Sequence, residues 1–351
     1  AKLYEGRMIL LRKAYERSNI YMDSEFRRFQ EEEAWWLKDY ALFMAVKKRF
    51  GGVQWSEWAE DIRLRWQNAL DYYREEMYFE IEFQEYMQFK FRQQWMKLKA
   101  YANEKGIQII GDIPIYVAMD SADTWANPWL FKLDEKNCPT QVAGCPPDGF
   151  SATGQLWGNP LYNWEVHRNS GYEWWIKRIA NCFRLYDVVR IDHFRGFDEY
   201  YAIPYGDETA ENGEWMPGPG MDLFLKMKET LGDLPIIAED LGFVTPEVRK
   251  LLKDSGYPGM KVATFGFGGD ADGNQHFPGN WSENYVAYTG THDNDTTAGW
   301  IATADETTLK AAKDYLHFDG TDDGVEAFIR CVLSSPCCMA VVPMQDVLHL
   351  G

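Results

Sequence analysis

No run of eighteen apolar residues occurs in this sequence, so no segment reads as a membrane-spanning helix. The opening residues, Ala1-Lys2-Leu3-Tyr4-Glu5, lack the long apolar stretch of a secretory leader. Basic charge is scarce. Lys and Arg number 36 against 54 Asp and Glu, for a net charge of −18. That balance argues against nucleic acid or an anionic membrane as the main partner, because both demand basic patches, whereas a neutral polymer is compatible with it. Cysteines number 6 and form neither a Cys-x-x-Cys pair nor a small-domain disulfide framework. Cys337 and Cys338 adjoin an apolar run and are expected to be buried thiols, which makes a reducing cytoplasm the expected location. No glycine-rich dinucleotide fingerprint follows any strand-like run, and neither Ser121 nor Ser151 sits in a Gly-x-Ser-x-Gly elbow. Internal repeats and low-complexity segments are absent as well.

What is present suffices for a large folded unit. The 351 residues are 46% hydrophobic and 16% aromatic, with Trp 15, Tyr 20 and Phe 20. A core and its packing anchors account for most of these rings, and aromatic faces that stack on the C–H faces of sugars are the functional alternative. The first hundred residues read as helical. From Glu31 to Phe50, Trp35, Leu37, Tyr40, Ala41, Phe43 and Met44 recur among charges at helical spacing, and Gly51-Gly52 stops the run. A second helical stretch is expected from about Trp58 to Glu104.

After Gly106 the pattern changes to alternating strands and helices. Strands are expected at 107–117, 187–194, 235–240, 261–267, 285–291 and 339–347. Helices fall near 174–183 and 223–231, after Thr245-Pro246 (a cap followed by proline at the first helical position), and as a pair over 305–333. Residues 120–163 read as one long Gly/Pro-rich loop region. Repeated βα units with polar residues at strand C-termini point to an α/β fold of the (β/α)₈ TIM-barrel type, with a doubly wound open sheet as the alternative.

Three acids stand at strand C-termini: Asp192, Glu239 and Asp293. Cleaving a glycosidic bond requires two carboxyl groups, one to attack or stabilise the anomeric carbon and one to protonate the leaving oxygen. A third can hold sugar hydroxyls. Arg190 and Asp192, two apart on a strand, should share a face, and the guanidinium would then help keep Asp192 ionised. Glu239, to act as an acid, must instead hold its proton near neutral pH. Taken singly, such a residue is more often a solvated loop carboxylate. His193 and His292 lie beside acids but lack metal-ligand spacing to another histidine, so hydrogen bonding to sugar hydroxyls explains them better. Asp293-Asn294-Asp295 lacks the glycine and distal glutamate of a calcium loop.

In combination the segments are specific. Arg190-Ile191-Asp192-His193-Phe194-Arg195-Gly196, Ile237-Ala238-Glu239-Asp240-Leu241-Gly242 and Gly290-Thr291-His292-Asp293-Asn294 follow the order of the acidic blocks of α-amylase-type enzymes. Within that clan the chain resembles the amylomaltases, glycoside hydrolase family 77. Further segments support the narrower likeness: Gly111-Asp112-Ile113-Pro114-Ile115-Tyr116-Val117, Pro146-Pro147-Asp148-Gly149-Phe150-Ser151 on to Gly154-Gln155-Leu156-Trp157-Gly158-Asn159-Pro160, Gly213-Glu214-Trp215 with Gly218-Pro219-Gly220, and Pro258-Gly259-Met260-Lys261. The resemblance implies a 4-α-glucanotransferase that moves α-1,4-glucan segments from a donor to a glucose or maltooligosaccharide acceptor through a covalent glucosyl–aspartate intermediate. It implies Asp192 as nucleophile, Glu239 as general acid/base and Asp293 as transition-state stabiliser. Arg190, His292, His193, Asp148, Gln155, Trp157, Asn159, Tyr116 and Asp112 would contact substrate, and residues 146–160 look like the family's loop over the substrate groove. No cofactor or metal is implied. A hydrolase or debranching enzyme of the same clan is the first alternative, and a non-catalytic glucan-binding protein the second. By the same resemblance, residues 1–105 would be a helical subdomain inserted before barrel strand 3. Residues 106–351 would be the barrel core with a substrate loop at 118–165. Only strands 3 to 8 would be present, leaving the barrel incomplete at both ends.

Overall fold

The computed structural model describes residues 2–147, 151–242, 244–269 and 274–351. The fold is α/β. In chain order the strands are β1 (Ile110–Pro114), β2 (Gln141–Cys145), β3 (Gln155–Pro160), β4 (Val188–Asp192), β5 (Glu199–Pro204), β6 (Glu214–Pro217), β7 (Ile236–Ala238), β8 (Gly259–Val262), β9 (Tyr285–Tyr288) and β10 (Met339–Val341). Residue contacts divide the chain into two compact units: Ala1–Asp187 with Glu199–Gly232, and Val188–Asp198 with Asp233–Gly351.

The first unit opens with helices Lys2–Ser18, Ser24–Glu32, Ala34–Arg49, Gln67–Glu76 and Tyr78–Glu104. The Asp23 side chain caps the second by accepting the Glu25 and Phe26 N–H groups. The third ends as its sequence predicts. Gly51 and Gly52 both take positive φ, and their N–H groups donate to the Lys48 and Lys47 carbonyls. The helix expected over Trp58–Glu104 is broken twice instead. At Arg65 the backbone turns to φ 58°, which lets the guanidinium pair with Asp39 at 2.7 Å and lie 4.2 Å over the Trp125 ring. Two tertiary contacts there outweigh local helix propensity.

The long loop expected over 120–163 contains β2 and β3. With β5 and β6 they form an antiparallel sheet in the order β3-β2-β5-β6. Glycine hides this sheet from sequence patterning. At Gly144 a Cβ would stand 2.1 Å from the Gln155 carbonyl oxygen, so only glycine lets β2 and β3 approach there.

In the second unit every strand pairing is parallel. β4 pairs with β7, setting Ile191 opposite Ala238. β8 pairs with β9, and β9 with β10. The Ala238 N–H donates to the Pro258 carbonyl at 2.9 Å, linking β7 to the start of β8. Alternate residues make two separate cores. Val188, Ile237, Met260, Val262, Val286 and Tyr288 pack together on one side. On the other, Ala287 joins Phe328, Val325 and Val332 of helix Thr321–Leu333, with Ile301 of helix Thr297–Thr303. Burial on both faces is what parallel strands flanked by helices require. All six expected strands are shorter than their apolar runs, and two of them give way to helical turns. β8 yields to a 3₁₀ turn at Ala263–Phe265, and after β10 the chain turns into a helical segment, Met344–Val347. Thr245 and Pro246 begin helix Pro246–Ser255 as expected, with the threonine hydroxyl accepting the Val248 N–H. All six cysteines are thiols, but the expected burial of Cys337 and Cys338 does not hold: Cys337 is only partly buried and Cys338 is exposed.

Candidate active site

Parallel pairing in register carries Asp192 and Glu239 to the C-terminal ends of neighbouring strands, on the face that also bears Arg190 and Ile237. Arg190 is buried. Its Nη2 donates to Asp192 Oδ1 at 2.9 Å, and its Nε meets Met260 Sδ at 3.4 Å. The ion pair expected from the two-residue spacing is therefore present. Asp192 keeps 41% of its side-chain surface open, so the same carboxylate is anchored on one side and accessible on another.

Directly after Asp192 the backbone takes a left-handed turn, with His193 at φ 53°. This turn aims the His193 N–H at Glu239 Oε2, 2.7 Å away, while the Leu241 N–H donates to Glu239 Oε1 at 2.6 Å. The main chain closes the same joint: Phe194 N–H donates to the Glu239 carbonyl and Glu239 N–H to the Ile191 carbonyl. Glu239 is buried, and burial pushes its carboxyl up to about 7. The Asp192 charge adds to that rise, and the two N–H donors and Arg190 only partly oppose it. A carboxyl poised there is about half protonated at neutral pH, beside a second carboxyl group. The His193 ring is surrounded by protein although part of its surface is open, and burial pushes it down to about 4, leaving it neutral.

Asp293 and His292 occupy a turn beyond β9, both well exposed, with Nε2 and Oδ2 3.5 Å apart. Asn294 Oδ1 accepts from the Thr291 N–H and hydroxyl, and Thr291 Oγ1 accepts the Asp293 N–H, which fixes the turn's shape. Beneath it lies a brace that the sequence did not reveal. Buried Asp346 accepts from Thr289 Oγ1 at 2.6 Å, Thr297 Oγ1 at 2.7 Å and the Thr297 N–H at 2.8 Å. It thereby ties the end of β9 to the start of helix Thr297–Thr303, on both sides of the acidic turn. Asp295 rests against Gly299, where a Cβ would come within 2.4 Å of its carboxylate carbon.

The remaining expected contacts lie in the first unit. Asp112 is exposed on β1. Tyr116 is buried, stacked 6.1 Å from Tyr162 and tilted against Trp157 at 6.3 Å, and burial raises its phenol well above the usual range. Gln155 and Trp157 are exposed on β3, where the indole N–H donates to Gln155 Oε1 at 3.0 Å. Asn159 Nδ2 donates to the Val117 carbonyl at 2.9 Å, so this amide braces the loop. Asp148 lies outside the described residues. No group of three or more potential metal ligands occurs among the described residues.

Two carboxyl groups on adjacent strand ends, one buried with a raised proton affinity and one partly open and paired with an arginine, are the working parts of enzymes that cleave glycosidic bonds. The model of the 4-alpha-glucanotransferase family, glycoside hydrolase family 77, matches residues 1–351, and the chain belongs to that family. It is 46% identical to the 4-alpha-glucanotransferase of Clostridium butyricum over 351 residues, 99% of this chain and 72% of that protein. With the 4-alpha-glucanotransferase of Streptococcus pneumoniae the identity is 48%, covering 100% of this chain and 70% of that one. Among solved structures, the amylomaltase from Streptococcus agalactiae in complex with acarbose superposes with a TM-score of 0.95 at 42% identity, over 99% of this chain and 71% of that chain. The amylomaltase from Corynebacterium glutamicum, 19% identical, shares the fold at a TM-score of 0.76.

Proposed function

We propose that this 4-alpha-glucanotransferase works by double displacement, with Asp192 as nucleophile and Glu239 as acid and then base. The carrying observation is the register-matched placement of the two residues on β4 and β7. Adjacent strands lie about 4.8 Å apart. That scale suits the roughly 5–5.5 Å carboxyl separation of retaining enzymes and is short of the 6.5–9.5 Å of inverting ones.

In the first step an Asp192 oxygen bonds to C1 of the donor sugar as the C1–O4 bond breaks, and Glu239 gives its proton to the departing O4. In the second step the 4-hydroxyl of an acceptor gives its proton to Glu239 and attacks C1, and Asp192 leaves. Two inversions restore the α configuration. Asp293 and His292 would hold sugar hydroxyls in the flattened transition state, with Arg190 keeping Asp192 in place and His193, Tyr116, Asp112, Gln155, Trp157, Asn159 and Asp148 shaping the groove. The arrangement favours transfer when an acceptor occupies the groove and excludes water. α-1,4-Glucan donors and glucose or maltooligosaccharide acceptors are the partners of this reading. The cytoplasm is its compartment, in keeping with six thiols.

The scaffold belongs to the same proposal. The β1, β4, β7, β8, β9 and β10 segments are read as strands three to eight of a (β/α)₈ barrel, preceded by a helical insertion at 1–105 and interrupted by the substrate loop at 118–165. Incubation with maltotriose tests the chemistry. Glucose together with a ladder of longer oligosaccharides is expected. Shortening alone would identify a hydrolase, and full turnover by an Asp192→Ala variant would remove the nucleophile assignment.

A further inference from the structure

Within the first unit, helix Ala34–Arg49, the segment 122–130 and the start of helix Glu173–Leu185 enclose a cavity of about 270 Å³. Four of its lining residues are tryptophans: Trp35, Trp36, Trp129 and Trp174. Trp35 is 43% and Trp129 59% exposed, so two large apolar rings face solvent at one concave site. Core packing explains Trp174, which sits against Tyr162 and Trp175 and donates its indole N–H to Asp123 at 3.1 Å. It does not explain Trp35 or Trp129. Isolated exposed apolar side chains are ordinary, but two tryptophans on one pocket are a recognition feature.

The polar lining selects the ligand's charge. Asp39, Asp123 and Glu173 face the cavity along with one cation, Lys177. Asp39 is paired with Arg65 at 2.7 Å, Glu173 with Lys177, and Asp123 with the Trp174 indole. Anions would meet three carboxylates with no spare cation among them. Cations would meet carboxylates already satisfied, and the Trp35 face already has the Lys177 ammonium 5.8 Å away. A neutral ligand with apolar faces and many hydroxyls suits both the rings and the acceptors. The cavity is too small for a protein partner, which needs about 800 Å² of surface per side.

We propose that this cavity is an accessory site for a short stretch of α-1,4-linked glucan, distinct from the groove served by Asp192 and Glu239. The proposal rests on the glucan reading above. Sugar rings stack on Trp35 and Trp129 while their hydroxyls reach Asp39, Asp123 and Asn127. Such a site would tether the protein to a polymeric substrate and leave turnover of short ones untouched.

Native electrophoresis through gels with and without glycogen, alongside a maltotriose turnover assay, tests this. The unaltered protein should be slowed by glycogen. A Trp35→Ala/Trp129→Ala double variant should bind it about tenfold more weakly, a loss of roughly 1.4 kcal/mol. Its maltotriose turnover should stay within about twofold. A Trp35→Phe/Trp129→Phe variant keeps flat rings and should recover much of the retardation. Undiminished retardation of the alanine variant overturns the site, and so does a parallel loss of maltotriose turnover or a failure of phenylalanine to rescue. Absence of maltotriose turnover in the unaltered protein would instead strike the glucanotransferase chemistry, and the gel would still report on the cavity.

Discussion

The joint between β4 and β7 and the turn beyond β9 lie in one compact unit and hold their acids by opposite means. At the first, Glu239 is buried and gripped at both oxygens by main-chain N–H groups, and its proton affinity is set by burial and by Asp192. At the second, Asp293 and His292 stand in solvent, and rigidity comes from below, through Asn294 within the turn and Asp346 beneath it. A group that must exchange a proton gains from a dry setting that raises its pKa. On the proposed reading, Asp293 and His292 meet a sugar's hydroxyls and gain from reach, provided the turn does not wander.

The sharpest test of this contrast is at the buried joint. Asp192→Ala should lower maltotriose turnover by about 10³-fold or more, and Glu239→Gln by about 10²–10⁴-fold. The two should separate on a donor with a good leaving group, such as a glucosyl fluoride. Glu239→Gln should then still release fluoride in a rapid first step, because that departure needs no proton, whereas Asp192→Ala should not. Equal losses on both donors would break the division of roles. The pH profile carries the same logic. A carboxyl raised to about 7 is protonated below that value and ionised above it, so kcat/KM should fall with slope −1 as pH rises through about 7. A profile flat to pH 9 would contradict an acid role for Glu239.

At the turn the expected effects are smaller and act through stability first. Asp346→Ala strips three donors of a buried acceptor, so unfolding free energy should drop by about 3 kcal/mol in denaturant titrations. The surviving folded enzyme should lose about tenfold in kcat, because a turn shifted even slightly misplaces Asp293. Asp346→Asn, which keeps the shape and one good acceptor, should recover most of the stability. An unchanged kcat in the folded alanine variant would show that the brace serves only the fold. Gly299→Ala is the mildest case. Its Cβ would collide with the Asp295 carboxylate, and about 1–2 kcal/mol of stability should be lost with little change in turnover.

The legible parts of the molecule were those written in short range. The Gly51-Gly52 stop, the Thr245-Pro246 helix start and the Arg190–Asp192 pair depend on neighbours a few residues apart, and each formed as its spacing predicts. The sheet of β2 and β3 was not legible, because Gly144 and the surrounding prolines read as loop, and β2 is completed as a strand by pairing with β5, distant in sequence, as well as with β3. The helix break at Arg65 was missed for the same reason, since its partners Asp39 and Trp125 are distant in sequence.

Sequence alone determined the α/β class and the family, and it placed Asp192 and Glu239 at strand ends although Asp293 lies in a turn beyond β9, since periodicity, caps and motif order are local properties of the chain. Tertiary structure decided the environments of those acids. Which carboxyl is dry enough to keep a proton, which turn is braced by Asp346, and which tryptophans meet at one cavity all depend on residues far apart in the chain. Burial and electrostatic fields are sums over neighbours in space, and those neighbours exist only once the chain has folded.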